Sequence, residues 1–319
     1  MVGLITVCIK ELKDNFLSKR FIIVFLLIYL VGISTATLSI QAIASAAYSL
    51  SAESFLFLRI FTSTTGLLPA FIFFVSYFGP IIGILFGFDA INSELLSGTL
   101  TKVLSQPIHR DSFINGKFLA GLITISIIYG SITGILIGVG IYYFGGPPSL
   151  DEFLRILCFI GLCILYTVFW MNIGILFSII FKKVATSALA SVAIWLFFTF
   201  FIFMIANFIV NIAFPITDPS LLFNEEFLAK RQELQQMILQ FSPEQLFEIV
   251  TIVILTPTIR AISPIIGIET SRIIPNPLPI DQSIIIALPY LMILIIMIFI
   301  CFAFSYILFM KQEIRSGAI

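Results

Sequence analysis

Residues that could do chemistry are few in this chain, and their spacing excludes more than it offers. His109 is the single histidine in 319 residues, and the four cysteines, Cys8, Cys158, Cys163 and Cys301, form no ligand motif. Soft-metal sites need clustered Cys or His side chains, so no metal site is expected and the thiols read as free and buried. A phosphate-cradling loop needs a glycine, four residues, and then Gly-Lys-Ser/Thr. The one Gly-Lys pair, Gly116-Lys117, is followed by Phe118 and has Asp111 where the first glycine belongs. The chain therefore has no ATP-binding motif and is not expected to be an enzyme. Glu225-Glu226 could act in a metal-dependent protease only beside histidine ligands, and His109 falls on the opposite side of the membrane in the topology below.

The elements that must position any site are hydrophobic helices. Hydrophobic residues make up 60% of the chain and charged ones 11%, with a mean hydropathy of +1.14, against roughly 45–50% and about 25% in soluble domains. A bilayer core takes about 20 apolar residues per helix, and six stretches reach that length without Asp, Glu, Lys or Arg: 21–40, 67–88, 118–144, 156–181, 184–214 and 284–310. The fold expected is an all-α polytopic membrane protein forming one transmembrane domain over residues 1–319. Ion-coupled pumps keep ionisable residues inside their spans; here Asp89 lies just beyond the second span and the six stretches hold none.

An even number of spans puts both termini on one side. With the termini cytoplasmic, 11 of the 17 Lys and Arg residues lie inside and 11 of the 17 acids outside. That asymmetry satisfies the positive-inside rule and predicts a multi-pass protein of the cell membrane with both ends in the cytoplasm.

Apart from the termini, the segment between the second and third spans is the only sizeable cytoplasmic stretch. Residues 92–106 predict a short amphipathic helix: Gly98-Thr99 marks a break and N-cap, Leu100, Val103 and Leu104 share one face, and Pro107 ends it before Arg110 and Lys117.

Glu94, Gly98-Thr99-Leu100, Leu104-Ser105, Pro107-Ile108, Arg110 and Gly116-Lys117 together resemble the signature of ABC transporter permeases of the type 2 exporter class. The close match covers about 25 residues, and the span layout extends it to the whole chain. Where basic residues often follow the glutamate in that family, this chain has Leu95 and Leu96. The resemblance implies the transmembrane subunit of an ATP-driven exporter, in which this segment is a coupling helix docked on a separate ATP-binding cassette subunit. It implies a second permease protomer and surrounding lipid as further partners, with no nucleic acid. ATP and Mg would be held by the partner subunit, and no cofactor by this chain. Glu94 and Thr99 would orient the helix, with Gly98 at its break. Leu100, Val103 and Leu104 would fill the partner's cleft, and Arg110 or Lys117 would anchor the segment at phosphate headgroups. A stand-alone channel or scaffold, and a secondary transporter, are the alternatives.

Three other segments carry expectations. Residues 1–20 place Leu4, Ile5, Cys8, Ile9, Leu12 and Phe16 opposite Lys10, Lys13 and Asp14, which fits an interfacial helix or a charged topogenic leader. Gly130, Gly134 and Gly138 would let a neighbouring helix of the same chain pack closely, and Asn172 would hydrogen-bond between helices. The extracellular insertion, 215–283, predicts a helical hairpin before the last span. Asp218-Pro219 would start its first helix, with Phe223, Phe227, Leu234, Ile238 and Phe241 on one face. Ser242-Pro243-Glu244-Gln245 would start the second as a capping box. Phe241, Leu246, Phe247 and Val250 are expected against the bilayer or a facing protomer. Whether the hairpin re-enters the membrane or caps it in solvent stays open.

Overall fold

The computed structural model describes residues 2–46, 55–63, 71–106, 108–216, 224–257 and 278–312, and among these every regular element is helical. Helix α1 (Val2–Leu17) leads into α2 (Lys19–Ala46), α3 (Leu56–Thr62) and α4 (Phe71–Gly87). Two short helices, α5 (Asn92–Leu96) and α6 (Thr99–Leu104), precede α7 (Arg110–Phe144) and α8 (Leu150–Ile180). A π-helical turn, Phe197–Phe201, joins α9 (Val184–Leu196) to α10 (Ile202–Ala213). Then follow α11 (Glu225–Leu239), α12 (Pro243–Leu255) and α13 (Ile280–Lys311).

Six stretches are long and apolar enough to cross a bilayer: Lys19–Gln41, Phe71–Leu96, Arg110–Phe144, Leu150–Ile180, Val184–Ala213 and Ile280–Lys311. They correspond to the six read from the sequence, and the chain is an all-α polytopic membrane protein. The third stretch has 35 residues, about 52 Å at 1.5 Å per residue. That exceeds a hydrocarbon core of about 30 Å, so the helix projects beyond it. The chain divides into two compact units, Met1–Val192 with Ile295–Ile319, and Ala193–Leu294.

In the first unit, glycines of α4 admit the backbone of α8. A Cβ on Gly83 would stand 2.3 Å from the Thr167 carbonyl oxygen, and one on Gly87 2.3 Å from that of Met171. Helices that associate without a hydrophobic driving force depend on such close approach. Helix α4 also runs through Pro80, whose missing N–H leaves the Ser76 carbonyl without its helical donor. The buried Tyr166 hydroxyl of α8 donates to that carbonyl at 2.8 Å, so one contact both repairs α4 and registers it against α8.

The stripe on α7 behaves otherwise. Cβ atoms on Gly130, Gly134 and Gly138 would meet nothing within 4 Å among the described residues, so close packing of this chain's own helices there is corrected. Neither amide atom of Asn172 has a hydrogen-bond partner among the described residues, which corrects the expected interhelical bond. At the other end of α8, Glu152 completes a capping box with Ser149 and accepts the Phe57 N–H at 3.0 Å. One carboxylate thereby serves the first turns of both α8 and α3.

In the second unit, α11 lies along α10 through polar contacts. Arg231 Nη2 donates to Asn211 Oδ1 at 2.6 Å and Gln235 Nε2 to Asn207 Oδ1 at 3.1 Å, while Arg231 also donates to the Phe214 carbonyl. Asn224 caps α11 by accepting the Phe227 N–H at 3.1 Å; Asp218-Pro219 and Phe223 lie outside the described residues. Helices α11 and α12 meet at 113°. Pro243 opens α12 as expected, but Ser242 makes no side-chain cap bond, since its hydroxyl turns to the Phe198 carbonyl at 3.4 Å. The capping box is thus not formed. Leu246, Phe247 and Val250 are fully buried within the chain while Phe241 is 71% exposed. The expected grouping of the four on an outward face is corrected accordingly.

Candidate functional site

The segment between α4 and α7 hangs on the end of α8. Ser178 Oγ accepts the Ile91 and Asn92 N–H groups at 2.7 and 3.1 Å, donors that a helix start leaves without intrahelical partners. Ser187 Oγ donates to the Phe88 carbonyl at 2.6 Å, and Asn92 Nδ2 to the Phe181 carbonyl at 3.3 Å. Three polar side chains, Asn92, Ser178 and Ser187, thus make a fixed seat for α5.

From that seat α5 projects Glu94 inward. Its Oε1 lies 2.8 Å from Lys117 Nζ of α7 and 3.0 Å from Lys10 Nζ of α1. Glu11 Oε1 of α1 lies 2.9 Å from both ammonium groups. Two cations and two carboxylates therefore form a ring that joins three helices, with Asp14 3.4 Å from Lys10 at its edge. Lys117 also stands 5.0 Å from the Phe113 ring centre, a geometry in which the ring face adds attraction. Gly116 explains the close approach of α1, since a Cβ there would be 2.8 Å from Val7 Cγ1.

Lys117 is thus 8% exposed and Glu94 9%, which corrects the expected headgroup anchor at Lys117. Arg110 donates instead to the carbonyls of Gln312 at 3.0 Å and Met310 at 3.4 Å, binding the start of α7 to the end of α13. The expected single helix over 92–106 is two short helices with Gly98 between them at φ +68°, a conformation glycine adopts without strain. Gly98, rather than Thr99, holds the cap position; Thr99 Oγ1 bonds the Glu94 carbonyl at 3.3 Å and lies 2.8 Å from Ser97 Oγ. Leu100 is fully buried in the chain, so it does not face outward as expected. Val103 is half-buried, and the side chain of Leu104 and all of Pro107 lie outside the description. The outward residues are Leu96, Ser97, Thr99, Lys102, Ser105 and Gln106.

Sequence reasoning picked out Glu94 and Lys117 but missed their partners Lys10 and Glu11. The usable signal was a lone acid and a lone base of opposite sign at the facing ends of consecutive antiparallel spans. Asp89, noted at the end of the second span but given no partner, pairs with Arg20 at 2.5 Å. Beside the ring a cavity of about 300 Å³ is bordered by Asn15, Arg20, Asp89, Gly121 and Ile175. Among the described residues no three His, Cys, Asp or Glu side chains are placed to hold a metal. The arrangement is a buried junction of charges that ties α1, α5 and α7 together.

Helix α1 presents Val7 and Cys8 inward and leaves Ile5 and Ile9 about half exposed, so two of the six apolar residues expected on one face point outward. Burial alone would raise the Glu11 carboxyl, but the charges and hydrogen bonds of Lys117 and Lys10 outweigh it and hold the group below its usual 4.5. For Lys10 burial works downward, and the hydrogen bonds and charges of Glu11 and Glu94 carry it above its usual 10.5. A lowered acid contributes stability that is complete above its unfolded value and is lost as pH falls through the folded one. A raised base contributes below its unfolded value and loses that as pH rises through the folded one. Docking of α1 is therefore expected to be strongest between pH 4.5 and 10.5. Amide exchange of α1, corrected for intrinsic rates, should rise below that window. Glu11→Gln should exchange fast already at neutral pH and respond less to acid. Equal acid responses in both proteins would refute the assignment.

In comparison with known proteins, the family model described as ABC-2 family transporter protein matches residues 5–314. No curated protein matches the chain in sequence.

Proposed function

The chain belongs to the ABC-2 family of transporter proteins, and from that premise we propose that it is the membrane subunit of an ATP-driven exporter, docked through α5 and α6 on a separate ATP-binding subunit. One observation carries the reading: a buried charge junction fastens this loop segment to α1 and α7. A segment that merely connected two spans would need no such fastening. A force applied to α5 has a direct path into α7 through the Glu94–Lys117 pair and into α1 through Lys10. Stiff, short links of this kind are what two-state tilting of packed helices requires.

In this reading the docking face is Leu96, Ser97, Thr99, Lys102 and Gln106, with Val103 at its edge. Leu100 works from within, holding α6 to its own chain. The termini lie in the cytoplasm of the cell membrane, and a second protomer completes the path. ATP and Mg belong to the partner.

Purification of the wild-type chain from its host in mild detergent should bring along a soluble P-loop ATPase. Lys102→Glu with Gln106→Arg should weaken that association more than about tenfold, the equivalent of 1.4 kcal/mol, with no change in thermal stability because both side chains face outward. An ATPase that stays bound to the double variant would place the docking face elsewhere. Absence of any ATPase beside the wild-type chain would overturn the function.

A further inference from the structure

The cavity beside the charge ring has walls of two kinds. Lys10, Asp14 and Arg20 stand at its mouth, each with half or more of its side chain open. Glu11, Glu94 and Lys117 are largely covered and form its charged floor. Leu85, Phe86 and Ile175 add an apolar wall. The volume of about 300 Å³ compares with about 30 Å³ for one molecule of liquid water. A molecule of several heavy atoms fits it; a bare ion would leave most of it unfilled.

The charges around the cavity do not balance. Four carboxylates, those of Glu11, Asp14, Asp89 and Glu94, border it with three cations, Lys10, Arg20 and Lys117, which leaves a net charge of −1. Every cation is engaged: Lys10 reaches Glu11, Asp14 and Glu94, Lys117 reaches Glu11 and Glu94, and Arg20 reaches Asp89. The carboxylates are used only in part. Both lysines bond Glu94 through Oε1, while Glu94 Oε2, on a residue 9% exposed, has no hydrogen-bond partner among the described residues. Leaving a buried carboxylate oxygen without a donor costs stability. The site is therefore short of a donor and of one positive charge.

We propose that this cavity is a binding site for a small aliphatic primary amine in its protonated form. The ammonium group donates to Glu94 and Asp14, and the methylene stem lies along Leu85, Phe86 and Ile175. The terminal torsion of a glutamate is broad, so a small turn of the Glu94 carboxyl presents Oε2 to the ligand. Excess negative charge selects a cation over an anion, the N–H groups supply the missing donor, and the apolar wall favours a short carbon chain over an inorganic ion. A divalent metal is disfavoured, since among the described residues no three His, Cys, Asp or Glu side chains are placed to hold one. Bound there, the amine neutralises the surplus charge between α1 and α5 and tightens the docking of α1. The site holds whether or not an ATP-binding subunit docks on α5 and α6.

The test uses the full chain in detergent at neutral pH, with n-butylammonium chloride as the probe and potassium, sodium and tetramethylammonium chlorides at equal ionic strength as controls. Butylammonium should raise the thermal midpoint saturably and slow amide exchange over Val2–Leu17 and residues 85–94. The three controls carry the charge without an N–H donor and should do neither. Asp14→Asn removes the surplus charge at an exposed position and should weaken butylammonium binding about tenfold, the scale of one unit charge a few ångströms away; Asp14→Glu should keep it. Equal stabilisation by all four salts would mean screening alone, and a response to potassium or sodium matching that to butylammonium would mean an alkali-cation site. Undiminished binding to the Asp14→Asn protein, or slowed exchange confined to other helices, would place the amine outside the cavity. Each of these results overturns the proposal, as does the lack of a saturable response.

Discussion

Replacing Lys117 with alanine is expected to unfold the junction of α1, α5 and α7 and to lower stability by about 3–5 kcal/mol, the range for removing one partner of a buried ion pair. Lys117 contacts both Glu94 and Glu11 at 2.8 and 2.9 Å, so its loss leaves two carboxylates facing each other with only Lys10 between them. The cost comes mainly from those stranded charges. Lys117→Met combined with Glu94→Gln should therefore cost less than the two single changes added together, by about 1 kcal/mol or more. Denaturation in detergent measures the stability half of the claim. ATP hydrolysis and transport in the reconstituted complex measure the other half. Should the double variant regain the fold, transport should still fail, since the link from α5 to α7 is broken. Additive single effects would show that the charges do not act as one ring.

Gly87→Val is expected to prevent assembly of the bundle, whereas Gly134→Ala should leave it intact or slightly stabilised. At Gly87 a Cβ would stand 2.3 Å from the Met171 carbonyl oxygen and 2.9 Å from the Ile175 nitrogen. Those atoms belong to the α8 backbone and cannot turn aside as a side chain would. Overpacking of this kind costs about 1–3 kcal/mol and more where a backbone must move. Separation of α4 from α8 would also strip Tyr166 from the Ser76 carbonyl. At Gly134 nothing stands within 4 Å, and alanine in a helix interior gains about 0.5–1 kcal/mol over glycine. Folded yield and thermal midpoint in detergent distinguish the two cases. A well-folded Gly87→Val protein would show that α4 and α8 do not approach as closely as described.

The contrast between these glycines shows what one dimension of information lacks. Gly130, Gly134 and Gly138 repeat every fourth residue, as do Gly79, Gly83 and Gly87. Periodicity places each set on one helix face but does not say whether another helix crosses there. The spans themselves needed no such knowledge. Transfer of an apolar helix from water to lipid sums residue by residue along the chain, so runs of local sequence sufficed for six helices, their limits near Lys182-Lys183 and Asp89, and the class of fold.

The segment around Glu94 was legible in the same local way, because Gly98, Leu100, Arg110 and Lys117 form a contiguous pattern. What each residue touches was decided by packing across long separations: Glu94 finds Lys10, 84 residues away, and Leu100 turns inward because the break at Gly98 rotates α6 against its own chain. Ion pairs and burial depend on where three helices converge, and that convergence follows from glycine gaps, the Ser178 and Ser187 seat, and the proline-freed carbonyl of Ser76. Sequence by itself determined that this chain spans the membrane six times and keeps one polar segment between the second and third spans. Tertiary structure decided that the segment's acid and base are buried in a ring with α1, because the enthalpy that rewards such pairing exists only once the helices have met.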